Sequence, residues 1–310
     1  MKDKRVVFMG TPEFSIPVLE MLIKETNVIL VVSQPDSYVG RHKELRYSPV
    51  KDFALKNGIE VFTPSKIRDD YKYILDMNPD IIITCAYGQI IPDELLYTPK
   101  YKAVNVHASL LPKLRGGSPL HRCIIDGYKE TGITIMYMGS GMDDGDVITQ
   151  EKITIEENDN VGIIHDKLSI IGRDLLLKTL PSIFEGTNLR TPQDINEVTF
   201  AYNIKREEEK LNFNKSALEV HNHIRGMYPY PVAYTTLNGE IIKICESKIG
   251  NSSKGEIGEI INIYDDGFGV KCLDKEIIIT KVKPSSKKEM SSRDFINGKK
   301  KENLLGSKLC

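Results

Sequence analysis

No stretch of the 310-residue chain is apolar for long enough to cross a bilayer. Runs such as Asp80-Ile-Ile-Ile-Thr-Cys-Ala86 fall far short of the roughly 20 residues that a membrane helix requires. A signal-peptide core is missing as well. Met1-Lys-Asp-Lys-Arg5 is followed by only four apolar residues before Gly10, and acidic residues speak against a transit peptide. A cytoplasmic protein without membrane contact is expected. Cysteine is sparse: the five residues at 85, 123, 245, 272 and 310 are odd in number and none has CxxC spacing. That pattern disfavours a disulfide framework or a zinc site and suits small buried thiols. Collagen-like or heptad periodicity, internal repeats and low-complexity tracts are all lacking, so a fibre is excluded. Charge of one sign is lacking too, since 42 Lys and Arg nearly balance 43 Asp and Glu.

What is there is ordinary for a globular chain, 40% apolar and 27% charged, at a length that suits two domains of about 150 residues each. The charge is unevenly placed: residues 204–310 hold 19 basic against 15 acidic residues, which leaves residues 1–203 acidic overall. A mildly basic final third beside an acidic body hints at a polyanionic partner, although solvated surfaces often show such an offset.

The first half alternates between short apolar runs and helical patterns. Arg5–Met9, Val28–Val32, Ile59–Phe62, Asp80–Ala86 and Ala103–His107 read as buried strands. Helices open at Ser15-Ile-Pro17, at Ser48-Pro49 and at Ser118-Pro119, and the second stops near Asn57-Gly58. Thr131–Met138 and Val147–Ile155 look like paired strands, and 161–186 like a long helix. The alternation predicts an α/β fold, Rossmann-like, with a mostly parallel sheet and flanking helices. After Thr187–Asp194 the period changes. Ser216-Ala-Leu-Glu219 is a capping box, and short strands follow at 233–237, 240–246, 255–264, 267–272 and 276–283, divided by Gly, Asn and Asp turns. These predict a small C-terminal β-barrel of OB type. The domains are therefore read as 1–189, a linker at 190–206, and 207–310.

Several motifs could carry chemistry. Phe8-Met-Gly-Thr-Pro-Glu-Phe14 is a strand running into a turn, but G-x-G-x-x-G is absent, which weakens a dinucleotide reading. Asn105 and His107 lie two apart at the end of a predicted strand, so both side chains share a face. Ligands of open α/β sheets bind beyond the carboxyl ends of the strands. There an amide and an imidazole suit a developing oxyanion, and satisfying a polar loop is the plainer alternative. Met138-Gly-Ser-Gly-Met-Asp-Asp-Gly-Asp146 places Asp143, Asp144 and Asp146 in a glycine-rich loop. EF-hand spacing is missing, which argues against calcium. A carboxylate that orients His107 is the sharper reading, and a turn with solvated acids covers Asp144. Arg41, His42, Lys43 and Arg46 lie in a long loop where cations could clamp phosphates, or simply be solvated. His221 and His223, two apart on a helix, face different directions and do not suit a shared metal.

Taken together, Phe8–Phe14, Ser48-Pro-Val-Lys51, Ala86-Tyr-Gly88, Asn105-x-His107-x-Ser-Leu-Leu-Pro112, Arg115-Gly-Gly117, Thr131-Gly-Ile-Thr134 and Met142-Asp-Asp-Gly-Asp146 resemble the folate-dependent formyltransferases. His221–Gly226, Tyr228-Pro-Tyr-Pro231 and Met290–Gly298 extend the resemblance over nearly the whole chain, closest to the branch that acts on tRNA. The resemblance implies an enzyme that moves a formyl group from 10-formyltetrahydrofolate to the amino group of methionine carried by initiator tRNA, for translation initiation. It implies Asn105, His107 and Asp143 as the catalytic set, Ser109, Leu110, Leu111, Pro112 and Gln89 at the folate, and Arg41, His42 and Lys43 at the tRNA. No metal is implied, and a monomer is expected. Met142 stands where Leu is usual in the family, a volume-conserving change. The rival acceptor is the amine of a sugar nucleotide; a hydrolase releasing formate and a non-catalytic OB-type RNA-binding module are the further alternatives.

Overall fold

A computed structural model describes residues 1–39, 44–299 and 301–310. Strands β1 (Arg5–Gly10), β2 (Asn27–Val32), β3 (Ser37–Val39), β4 (Glu44–Arg46), β5 (Val61–Phe62), β6 (Ile81–Cys85), β7 (Ala103–His107), β8 (Glu130–Tyr137) and β9 (Val147–Thr154) alternate with helices α1 (Ile16–Glu25), α2 (Pro49–Lys56), α3 (Ile67–Asp70), α4 (Lys72–Asp76), α5 (Asp93–Tyr97), α6 (Pro119–Ile125) and α7 (Val161–Glu185). There follow α8 (Ala217–Met227), β10 (Tyr234–Leu237), β11 (Glu240–Ile249), β12 (Ile260–Ile263), β13 (Phe268–Lys271), β14 (Glu276–Pro284), β15 (Met290–Ser291) and α9 (Ser292–Lys299).

The chain forms two compact units. The first comprises Met1–Pro119, Thr131–Ile153 and His165–Tyr202; the second comprises Leu120–Glu130, Thr154–Ile164 and Asn203–Cys310. Residues 190–202, read from the sequence as part of a linker, pack with the first unit.

A seven-stranded sheet in the order β5-β2-β1-β6-β7-β8-β9 centres the first unit. β1 pairs in parallel with β2 and β6, and β6 with β7, while β8 runs antiparallel to β7. β6 and β7 are buried along their whole length, as expected for strands covered on both faces. The local signals hold: Ser48 Oγ accepts from Lys51 N at 3.1 Å and caps α2. β5 is shorter than its apolar run suggests, because Ile59 N bonds back to Ala54 O and completes the exit from α2. Chain order reverses between β1 and β6, which places a crevice at their carboxyl ends.

The second unit carries an antiparallel half-barrel sheet ordered β10-β11-β14-β13-β12, with β15 paired to β14. Its core includes Phe268, Ile244, Ile277 and Ile279 together with Val220, Ile224 and Met227 of α8. The capping box of α8 forms as read, Ser216 and Glu219 each bonding the other's backbone N–H. Leu309 bridges to Leu237 and Lys308 to Glu259, so the C-terminal residues pair beside both edge strands. β12 begins at Ile260 and not near 255, because Gly255 and Gly258 adopt positive φ in a turn closed by Glu259 N to Glu256 O.

Candidate active site

Register, more than any single residue, builds the site. β6 pairs with β7 so that Thr84 lies opposite Asn105. Asn105 and His107 then share one face, as period two requires, and both are nearly buried at 9% and 6% exposure. Thr84 Oγ1 donates to Asn105 Oδ1 at 2.8 Å. With Oδ1 so engaged, Nδ2 is a donor that meets no protein acceptor among the described residues. A donor without a protein partner at the end of a strand suits a carbonyl oxygen.

His107 is held from both sides. Its Nε2 lies 3.2 Å from the Leu114 carbonyl. A carbonyl only accepts, so Nε2 carries a proton. Nδ1 lies 3.7 Å from Asp143 Oδ2. When the ring is doubly protonated, the second N–H faces that carboxylate.

The three acids of the 138–146 loop have separate fates. Asp143 Oδ2 also accepts from the Gly116 N–H at 2.8 Å. Gly116 has φ +119, and a Cβ there would lie 2.9 Å from the Ala201 carbonyl oxygen, so glycine is required. Asp144 turns its carboxylate into the space beside Gly139 and Gly141. Asp146 pairs with Arg190 at 2.8 Å, and the Arg190 guanidinium stacks on the Tyr137 ring. Three acids close together in sequence thus include one at the imidazole.

The Ser109–Pro112 segment is pinned to β8 and β9. Ser109 Oγ donates to Lys113 O at 2.7 Å, and Thr134 Oγ1 donates to Ser109 O at 2.6 Å. Gln150 Nε2 donates to Leu111 O and to Thr134 Oγ1, each at 2.8 Å. Ser109 and Leu111 are buried, while Leu110 and Pro112 are half-buried. Gln89 is spoken for at both ends: Oε1 accepts from Ile67 N at 2.8 Å, and Nε2 donates to Gln34 Oε1 at 3.2 Å. Gln34 and Thr11 both donate to the Tyr87 carbonyl, at 3.0 Å each. Gln89 therefore braces one wall at the ends of β1, β2 and β6.

Sequence reasoning missed Thr84, Thr134, Gln150 and Gln193. The last donates from Nε2 to the carbonyls of Asp143 and Gly145, both at 2.8 Å. Thr134 stands in the Thr131-Gly-Ile-Thr134 motif with no role read from it; the other three belong to no spacing pattern, and it is strand pairing that sets Thr84 opposite Asn105. Arg41, His42 and Lys43 lie outside the described residues; the strands they join, β3 and β4, pair Tyr38 with Leu45 and expose both side chains. His221 is buried and His223 half-buried on α8, with His221 Nδ1 at 3.0 Å from Ser247 Oγ. No group of three His, Cys, Asp or Glu side chains among the described residues is gathered as a metal ion needs. Burial pushes the thiols of Cys85, Cys245 and Cys272 up to about 12, so none supplies a thiolate near neutrality. No described helix is long and apolar enough to cross a membrane.

Comparison with known proteins extends these observations. Residues 4–180 match the family model described as formyl transferase, and residues 203–300 the model described as formyl transferase, C-terminal domain. The curated methionyl-tRNA formyltransferase of Staphylococcus epidermidis (strain ATCC 35984) is 49% identical over 98% of this chain and 99% of its own. That of Bacillus cereus (strain B4264) is 50% identical over 98% of each. Among solved structures, WlaRD, a sugar 3N-formyl transferase crystallised in the presence of dTDP and 5-N-formyl-THF, is similar with a TM-score of 0.65 at 22% identity, covering 93% of this chain and 100% of that one. The methionyl-tRNA formyltransferase from Clostridium thermocellum is similar with a TM-score of 0.55 at 17% identity, covering 80% of this chain and 94% of that one. At these identities the two structures speak for the fold.

Proposed function

The chain belongs to the formyl transferase family, and from that premise we infer that it transfers the formyl group of 10-formyltetrahydrofolate to the free amino group of methionyl initiator tRNA, in the cytoplasm, at the start of translation. The single observation that supports the chemistry is that Asn105 and His107 share one face of β7 while Asp143 faces the imidazole at 3.7 Å.

In this reading the neutral α-amine of the methionyl ester adds to the formyl carbon, and negative charge builds on the formyl oxygen. Asn105 Nδ2 donates to that oxygen. Protonated His107 supplies positive charge beside it, and Asp143, facing Nδ1, steadies the imidazolium. Losing one such donor costs roughly 3–4 kcal/mol of barrier, on the order of a hundred- to thousandfold in rate. His107 and Asp143 also relay the proton from the attacking amine toward the leaving folate nitrogen. The Ser109–Pro112 segment, held by Thr134 and Gln150, and the wall braced by Gln89 support the folate. Arg41, His42 and Lys43 meet the acceptor end of the tRNA, and the basic C-terminal domain, residues 207–310, holds acceptor-stem phosphates.

The test is formyl transfer from 10-formyltetrahydrofolate, comparing methionyl initiator tRNA with methionyl elongator tRNA and with an amino-sugar nucleotide. Strong preference for the initiator is expected. Equal or faster transfer to the sugar amine overturns the acceptor assignment, and formate release without any acceptor points to a hydrolase.

A further inference from the structure

Residues 191–201 do more than lead out of the first unit. Val147 and Thr191 exchange backbone hydrogen bonds at 2.9 Å in each direction. Further on, Arg115 N donates to Thr199 O at 2.9 Å, Ala201 N to Arg115 O at 2.7 Å, and Ser118 N to Ala201 O at 3.0 Å. Leu114 N donates to Thr199 Oγ1 at 2.9 Å. One segment is therefore stitched to the 112–118 loop, which contacts His107 and Asp143, and to β9 where it leaves the 138–146 loop that carries Asp143.

Gln193 sits where the two loops meet. Its Oε1 accepts from Arg115 Nε at 3.0 Å and from Arg115 Nη2 at 2.8 Å. Its Nε2 spends both hydrogens on the carbonyls of Asp143 and Gly145, each at 2.8 Å. The loop it holds is strained, for Asp143 has φ +46, the left-handed region. A non-glycine residue there costs of order 1–3 kcal/mol and persists only when its surroundings over-determine it. The surroundings here are Gln193 on the carbonyls and the Gly116 N–H on the carboxylate.

The three consecutive residues 114–116 close the arrangement. The Leu114 carbonyl accepts from His107 Nε2, the Arg115 side chain grips Gln193, and the Gly116 N–H grips Asp143. Contacts therefore run in a ring from His107 through residues 114–116 and Gln193 to Asp143, and back to His107 across 3.7 Å. We propose that Gln193, oriented by Arg115, is a positioning residue that locks the Asp143 backbone in its strained conformation and so aims the carboxylate at His107. This rests on the reading of Asp143 as the acid partner of the catalytic histidine.

Gln193 touches no reacting atom in this scheme, so its effect must pass through Asp143. Without the amide, Asp143 relaxes to negative φ and its carboxylate leaves Nδ1. A displacement near 1 Å in a reactive constellation costs about a hundredfold in rate. The full-length chain is assayed as wild type, Gln193→Ala, Asp143→Asn and the double variant, with both substrates varied. Gln193→Ala is expected to lower kcat ten- to hundredfold while each KM stays within twofold. In the Asp143→Asn background the same change is expected to cost less than twofold, since the group it positions is already disabled. Gln193→Glu keeps an oxygen for Arg115 but turns a carboxylate oxygen on the loop carbonyls in place of the two N–H bonds; with its unfolding midpoint measured beside the wild type's to show that the fold is intact, it is expected to lose activity as Gln193→Ala does.

Wild-type kcat in Gln193→Glu overturns the proposal, as does an equal loss in both backgrounds, which marks a merely structural role. Near-normal turnover of Asp143→Asn overturns the catalytic reading beneath it, a result separable from the other two.

Discussion

The Thr84 hydroxyl donates to Asn105 Oδ1 at 2.8 Å, across the β6–β7 pair. A side-chain amide can present either end to a site, and with Oδ1 held by the Thr84 hydroxyl it is Nδ2 that is left over. The end left over is a donor, which is what charge on a formyl oxygen requires. Thr84→Val removes the hydroxyl at nearly constant shape, so Asn105 loses its orienting partner without a large packing change. We expect about a tenfold fall in kcat, against the hundred- to thousandfold fall expected for Asn105→Ala as loss of an oxyanion donor. Steady-state kinetics with both substrates, alongside direct titration of the folate, checks this. Unchanged turnover in Thr84→Val removes the orienting role.

Gly116 is required for its conformation, its space and its amide together. Alanine there meets φ +119 and the Ala201 carbonyl at 2.9 Å. Strain of this kind costs of order 1–3 kcal/mol. Gly116→Ala is expected to lower the unfolding midpoint and, by shifting the N–H that holds Asp143, to lower kcat as well. Gly298→Ala, on α9 with open space around it, is the control; it is expected to be neutral or stabilising by up to about 1 kcal/mol. Denaturant unfolding of the two variants separates these outcomes.

Phosphate contacts impose a salt signature. The KM for tRNA should rise steeply with salt, while the KM for the folate should change little. Each phosphate contact removed should reduce the slope of log affinity against log salt by about 0.7–0.9. Arg41→Ala and Lys43→Ala are expected to raise the KM for tRNA and to flatten that slope. A wild-type slope in the double variant would take these residues out of the tRNA contact.

Burial holds His121, His221 and His223 below the ordinary value of 6.5. Arg122 beside His121, Arg225 beside His221, and Lys215 and Arg122 beside His223 act in the same direction; Glu157 and Glu208 oppose at His221 and His223. His121 Nδ1 faces the Gly226 carbonyl at 2.9 Å, and His223 Nε2 is buried without a partner among the described residues. The unfolded chain therefore binds protons before the folded one as pH falls. The contribution of these residues is complete above about pH 6.5 and is lost progressively below it, through the depressed folded values. Melting curves at pH 7.5 and 5.5 should show a lower midpoint at 5.5, and a smaller drop in His223→Gln. Equal midpoints at the two pH values for the unaltered chain would exclude the effect.

Much of this was legible before any coordinates. Local signals predicted α2 and α8, because a cap is a contact between residues three apart, as Ser48 with Lys51 and Ser216 with Glu219 show. The apolar runs predicted β1, β2, β6 and β7. Where an expected strand was too long, at 59–60 and 255–259, backbone bonds of a helix exit or a glycine turn had claimed the residues first.

By itself the sequence determined the shared face of Asn105 and His107, since alternation along a strand is a property of the backbone and needs no partner. Its motifs also led to the proposal that Asp143 works with them. Tertiary structure alone decided what Asn105 bonds across the sheet, which of the three acids faces the imidazole, and that Gln193, 50 positions beyond Asp143, bonds the backbone of its loop. Those outcomes depend on strand register and on hydrogen bonds between residues far apart in the chain. No period or spacing encodes such bonds; they exist only once the sheet has aligned Thr84 with Asn105 and the 191–201 segment has been laid against both loops.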